Sequence, residues 1–78
     1  MTSTYSNSYQ LLLTLLLAAR KSAGLTQTML SERLSKPQSF VSKYERGERR
    51  LDVIEFLEVC QRLGADPHEM IRSLEERP

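Results

Sequence analysis

Between Pro37 and Gly47 the chain reads Pro-Gln-Ser-Phe-Val-Ser-Lys-Tyr-Glu-Arg-Gly. Wound at about 100° per residue, this stretch puts Gln38, Ser39, Ser42, Lys43 and Arg46 on one face. Val41 and Tyr44 fall on the opposite side, with Phe40 and Glu45 at the borders. The polar face is built of amides, hydroxyls and cations, with no carboxylate at its centre. Such groups complement base edges and phosphates: a glutamine amide bonds adenine through both its ends, an ammonium reaches guanine acceptors, and a hydroxyl serves either. Gly47 supplies the left-handed backbone that ends a helix. The stretch has the chemistry of a helix that reads DNA.

A reading helix needs other elements to hold it, and the flanking sequence predicts four more helices and no strand. The first runs from Tyr9 to about Ala23, with Leu12, Leu16, Ala19 and Ala23 as its buried stripe, and Gly24 stops it. Thr26 is an N-cap for a second helix, Gln27 to Leu34, whose Met29, Leu30 and Leu34 face inward. Ser35 and Lys36 make a tight connection. Pro37 cannot continue the second helix but fits the start of the third. Asp52 and Glu55 have the spacing of a capping box and open a fourth helix carrying Val53, Ile54, Phe56, Leu57, Val59, Cys60 and Leu63. Gly64 ends it, and Asp66-Pro67 opens the fifth, whose Met70, Ile71 and Leu74 pack inward or onto a partner. Residues 1–8, polar and rich in Ser and Thr, are expected to be a flexible segment preceding one all-α domain over 9–78.

Charge is distributed unevenly along the 78 residues. The formal net charge is only +1, yet Arg20 to Arg50 holds eight basic residues against three acids, and Leu51 to the end holds three against seven. One surface is therefore suited to an anion and another is not. Cys60 is the sole cysteine and His68 the sole histidine, so no disulfide and no metal-ligand spacing exists, and no cofactor is expected. Cys60 reads as a buried inert thiol and His68 as a solvated residue. The apolar run Leu11–Ala19 is nine residues long, short of the roughly 20 that span a bilayer. No Lys or Arg precedes it, as a signal peptide would require. The expected location is the cytoplasm, at the nucleoid.

At these residues the chain resembles a known family. The runs Gly24-Leu25-Thr26-Gln27-Thr28-Met29-Leu30-Ser31-Glu32-Arg33-Leu34 and Gln38-Ser39-Phe40-Val41-Ser42-Lys43-Tyr44-Glu45-Arg46-Gly47 are similar to those of phage-repressor and Cro-like helix-turn-helix proteins, also called the xenobiotic-response-element family. The resemblance covers about Leu12 to Leu74 and implies a five-helix, lambda-repressor-like DNA-binding domain with its helix-turn-helix at the second and third helices. It implies base contacts from Gln38, Ser39 and Lys43, with Ser42 nearby. It implies that Gln27 grips a phosphate and braces Gln38, and that Arg46, the Gly47 backbone, Arg49 and Arg50 hold flanking phosphates. It also pairs Arg20 with Glu45; the competing reading of Glu45 is a surface pair with Arg49. Tyr44 takes a position usually filled by a large apolar residue and is read as core.

Two features depart from the family pattern. Pro37 stands where a Ser or Thr cap is common, and Phe40 is a large apolar group at the edge of the reading face. Phe40 either meets a thymine methyl or bends over the core. The first helix also carries more leucine than one stripe needs. Leu13 and Leu17 share a second face, and these leucines, or Met70, Ile71 and Leu74 of the fifth helix, are expected to contact another chain.

The resulting expectation is a sequence-specific regulator, a dimeric repressor of a small bacterial or phage operon, bound to an inverted-repeat double-stranded DNA operator. Control would come from protein level or a partner, since no sensor domain is evident. The alternative is an antitoxin-like or accessory protein-interaction module on the same fold. Enzyme chemistry has no nucleophile–base set, phosphate-cradling glycine loop or metal spacing to rest on. RNA binding lacks stacking aromatics on the reading face.

Overall fold

Five helices make up the computed structural model, which describes residues 6–76: α1 (Asn7–Ser22), α2 (Gln27–Arg33), α3 (Gln38–Glu45), α4 (Val53–Leu63) and α5 (Pro67–Glu76). No strand occurs among the described residues. Each start follows from a side chain that accepts from otherwise free backbone N–H groups. The Ser6 hydroxyl accepts from Tyr9 N at 3.1 Å, the Thr26 hydroxyl from Met29 N at 3.0 Å, and Asp66 from His68 N at 2.9 Å. At α4 the capping box is complete: Glu55 N donates to Asp52 at 2.7 Å and Asp52 N donates to Glu55 at 3.0 Å. α3 is the exception, because its N-cap is Pro37 and no side chain covers its first N–H groups.

The first helix departs from expectation in extent and phase. It begins at Asn7, so Ser6, Asn7 and Ser8 build its first turn instead of belonging to a flexible segment. Residues 1–5, the rest of that expected segment, and residues 77–78 lie outside the described residues. Its buried stripe is Tyr9, Leu13 and Leu16, with Leu12 and Ala19 only partly covered and Ala23 exposed. Tyr9 sets that phase. Its ring is buried, and its hydroxyl accepts from Leu51 N at 3.1 Å, tying the start of α1 to the loop before α4.

α2 and α3 form the closest-packed pair, a helix-turn-helix, while α1 lies against α3, α4 and α5. The turn is held from inside. Ser31 is buried and its hydroxyl donates to Gln38 O at 3.3 Å, while Lys36 N donates to Ser31 O at 2.9 Å. Ser35 bridges them at φ 57°, an uncommon backbone for a residue with a Cβ. After α3 the chain reverses through Gly47 at φ 78°, where glycine is the residue without a steric cost. Leu16, Leu30, Val41, Tyr44, Val59 and Cys60 have no more than 2% of their surface exposed and form the centre of the core. Burial pushes the Cys60 thiol up to about 11, as expected of a packing residue lying 4.0 Å from the Met70 sulfur. No helix of the described residues is long and apolar enough to cross a membrane.

The Tyr44 side chain is fully buried and its hydroxyl has no hydrogen-bond partner among the described residues, and burial pushes the phenol well above its ordinary range. Tyr44→Phe should stabilise the domain by about 1 kcal/mol, read as a higher urea midpoint at unchanged slope. Glu55 is held down to about 2, first by its hydrogen bonds from Arg49, then by the Asp52 backbone. A depressed folded value means stability present above the ordinary 4.5 and lost as pH falls toward 2. Glu55→Gln should cost about 1 kcal/mol at pH 7, and the two proteins should converge near pH 2 in urea titrations at both pH values.

Candidate nucleic-acid interface

The third helix is divided between core and solvent. Val41 and Tyr44 are fully buried on one side. Phe40 joins them, with its ring edge-on to Tyr44 at 5.7 Å between centroids. The Lys36 ammonium and the Arg49 guanidinium lie 5.4 and 5.0 Å from its centroid and roof the ring from solvent. Of the two readings of Phe40, the structure takes the packing one. On the opposite side Gln38, Ser39 and Lys43 are exposed, and their side chains make no hydrogen bond or ion pair with another described residue. Ser42 is half-buried and donates its hydroxyl to Ser39 O at 3.2 Å, which leaves its oxygen only as an acceptor. The exposed face therefore offers an amide, a hydroxyl and an ammonium with their capacity unspent.

A three-way contact fixes the direction of that face. Arg20 donates to Glu45 through Nε at 2.7 Å and Nη2 at 3.2 Å, and through Nη1 to Leu25 O at 2.8 Å. Gln27 Nε2 donates to Glu45 Oε1 at 2.7 Å. The Arg20 and Glu45 side chains are only 11% and 7% exposed, so this is an interior pair joining α1 to α3, with α2 attached through Gln27. The expected brace between Gln27 and Gln38 does not form, because the Gln27 amide turns to the buried carboxylate instead. Glu45 likewise does not pair with Arg49.

The three arginines expected at the flanking phosphates are engaged as well. Arg46 forms a two-point pair with Glu48, at 2.8 and 3.1 Å, and both side chains are more than half exposed. Arg49 forms another with Glu55, at 2.9 and 2.7 Å. Arg50 stacks 4.3 Å above the Tyr9 ring. The Gly47 N–H, expected to meet a phosphate, is already donated to Tyr44 O at 3.0 Å, and Gly47 is buried. That residue shapes the turn and offers no donor.

The expected partner surface is partly overturned. Leu13 and Met70 are buried in the core, and Leu17 and Leu74 are half-covered; only Ile71 is well exposed. The apolar surface lies elsewhere, on Val53, Ile54 and Leu57 of α4, which are 64%, 62% and 43% exposed. Val53, Ile71 and Leu74 line a groove of about 360 Å³ with Tyr9, Leu12 and Phe56 at its wall. The sequence marks α4 as the most apolar segment but does not separate Val53, Ile54 and Leu57, which face solvent, from Phe56, Val59, Cys60 and Leu63, which are buried. Tyr9, Ser31 and Glu48 were also missed; of these only Ser31 carried a signal, a small residue one turn before the connection.

Three comparisons agree on what this architecture is. A helix-turn-helix family model matches residues 16–70. An uncharacterised HTH-type transcriptional regulator of Sinorhizobium fredii is 36% identical over 59 residues, covering 76% of this chain and 77% of its own length. The solved structure of an XRE-family-like protein from Pseudomonas syringae pv. tomato superposes with a TM-score of 0.84 at 57% identity, over 87% of this chain and 83% of that one. The chain belongs to the Cro/C1-type, XRE-like helix-turn-helix family, a family of DNA-binding proteins and not of enzymes.

Proposed function

We propose that this protein is a sequence-specific regulator that binds double-stranded DNA as a homodimer and represses a small bacterial or phage operon. The observation that carries the reading is the unspent face of α3: Gln38, Ser39 and Lys43 exposed and unpartnered among the described residues, on a helix whose other face is locked into the core. A side chain held without a partner on a rigid element is poised for base edges, since its hydrogen bonds need not be broken before binding. In this reading Gln38, Ser39 and Lys43 contact bases and Ser42 accepts from an exocyclic amine. Gln27, Arg46, Arg49 and Arg50 hold the phosphates on either side, and the work is done inside the cell at the nucleoid.

The small size of the reading face favours a dimer. One such module buries only about 600–1,000 Å² on DNA and reads too few bases to single out one site. Two copies on half-sites about 34 Å apart read an inverted repeat. The exposed Val53, Ile54, Leu57 and Ile71 support a second copy as their cover, in place of Leu13 and Met70. The same apolar surface is what would favour the alternative, a module that binds another protein with DNA binding weak or lost. Salt separates the two, because a phosphate-bound complex weakens steeply between 50 and about 200 mM while an apolar one tolerates it.

Selection from a random duplex pool at about 150 mM salt should return an inverted repeat. Lys43→Ala and Gln38→Ala should each weaken binding by about 1–3 kcal/mol and relax one base position per half-site. Recovery of no enriched sequence by the folded protein would sink the regulator reading. Replacing Val53 and Ile54 together by Lys should shift the sedimentation profile from dimer to monomer and reduce the selected sequence to a half-site. An unchanged profile would move the dimer surface away from α4.

A further inference from the structure

Among the cations beside the reading helix, Arg46 and Arg49 are each held by a carboxylate through two hydrogen bonds, yet the two pairs are built differently. Glu55 is only 14% exposed, serves Arg49 and Asp52 N together, and starts α4; Arg49 is also packed on Phe40. That pair is part of the fold. Glu48 serves only Arg46 among the described residues, at 2.8 and 3.1 Å, with both side chains open to solvent. Its backbone is fixed all the same, because Glu48 N donates to Lys43 O at 2.9 Å in the reversal after α3. The carboxylate therefore stands beside the end of the reading helix, where its charge faces Arg46 first and Lys43 second. The Arg46 hydrogen bond holds it below the ordinary carboxylate range, so it is charged at neutral pH.

A guanidinium offers the same two-pronged edge to a carboxylate and to a phosphate. We propose that Glu48 is a resident anion in the phosphate site of Arg46, and that DNA binding exchanges the Glu48 carboxylate for a backbone phosphate. This rests on the DNA-binding reading given above and adds to it the residue that sets the affinity. The exchange is feasible because an exposed pair is weakly held. It is also costly, because the displaced carboxylate remains next to the incoming phosphate. Glu48 thus lowers affinity for every sequence alike and leaves discrimination to Gln38, Ser39 and Lys43.

The test is a duplex titration at 50 and 200 mM salt with wild type, Glu48→Gln, Arg46→Gln and the double variant. Glu48→Gln should bind about two- to fivefold tighter at the lower salt, with the gain shrinking at the higher one, as expected for release of one exposed pair. Arg46→Gln should bind more weakly, and in that background the Glu48→Gln gain should be smaller. Weaker binding by Glu48→Gln would overturn the proposal, for the carboxylate would then be positioning Arg46. An equal or larger gain without Arg46 would also overturn it, leaving simple repulsion of the duplex. If wild type bound no duplex, the regulator reading would fail first. The exchange would then be judged by titrating inorganic pyrophosphate against the Arg46 Nε–H resonance. A shift at lower pyrophosphate in Glu48→Gln than in wild type supports it, and coincident curves overturn it.

Discussion

The interface depends on one buried carboxylate. Glu45 receives three hydrogen bonds, two from Arg20 and one from Gln27, at the point where α1, the start of α2 and the end of α3 come together. Taking both charges out of water is costly, and a well-formed interior pair of this kind contributes little net stability. Removing one partner is another matter, costing about 3–5 kcal/mol because a buried charge is left alone. What the pair supplies is geometry. Helix α3 has only eight residues and no side-chain N-cap, so its own propensity cannot hold it. Tyr44 and Val41 fix its depth, and Glu45 fixes its rotation about the neighbouring helices.

That division decides what was legible in the sequence. Signals acting over three or four residues translated directly: the Thr26 cap, the Asp52–Glu55 box, the Asp66 cap and the reversal at Gly47 all stand where their chemistry required. The two-faced pattern of α3 was legible for the same reason, since Val41 and Tyr44 interrupt a run of polar residues. In α1 the periodicity failed. Six leucines between Leu11 and Leu17 leave only Thr14 to mark the outside, and one threonine does not fix a phase. The phase was set by Tyr9, through a hydroxyl that reaches a backbone N–H 42 residues along the chain. Such a contact has no local signature.

Charge partners were hard to read for a related reason. Glu45, Glu48 and Glu55 all lie within reach of an arginine between Arg46 and Arg50, and spacing alone cannot apportion them. Burial does: Arg20 claims Glu45 from across the core, Glu55 is committed to its helix start, and Glu48 is left for Arg46. The same competition redirected Gln27, whose amide satisfies Glu45 before it can reach Gln38. A basic stretch counted from sequence thus overstates the charge available to an anion. Beside Lys43, which makes no ion pair with a described residue, the structure offers Arg46 and Arg49 already paired with carboxylates and Arg50 stacked on Tyr9.

An interface with few free cations binds DNA in a particular way. Non-specific affinity comes almost wholly from released counterions, and pairing Arg46 and Arg49 with acids reduces that term for every sequence. The base contacts proposed for α3 are unaffected, so absolute affinity falls while the ratio of specific to non-specific binding is kept. A single module of this kind would be weak, and a second copy restores occupancy through effective concentration without raising the affinity of either module for random DNA. The position of the apolar surface bears on the same point. Val53 and Ile54 follow directly on Asp52, at the helix start that Glu55 and Arg49 organise. In the proposed dimer a phosphate pulling on Arg49 and a partner resting on Val53 would meet at one capping box, so each event would feel the other. Coupling of that kind needs no change of fold, only a shared turn whose hydrogen bonds both ligands bear on.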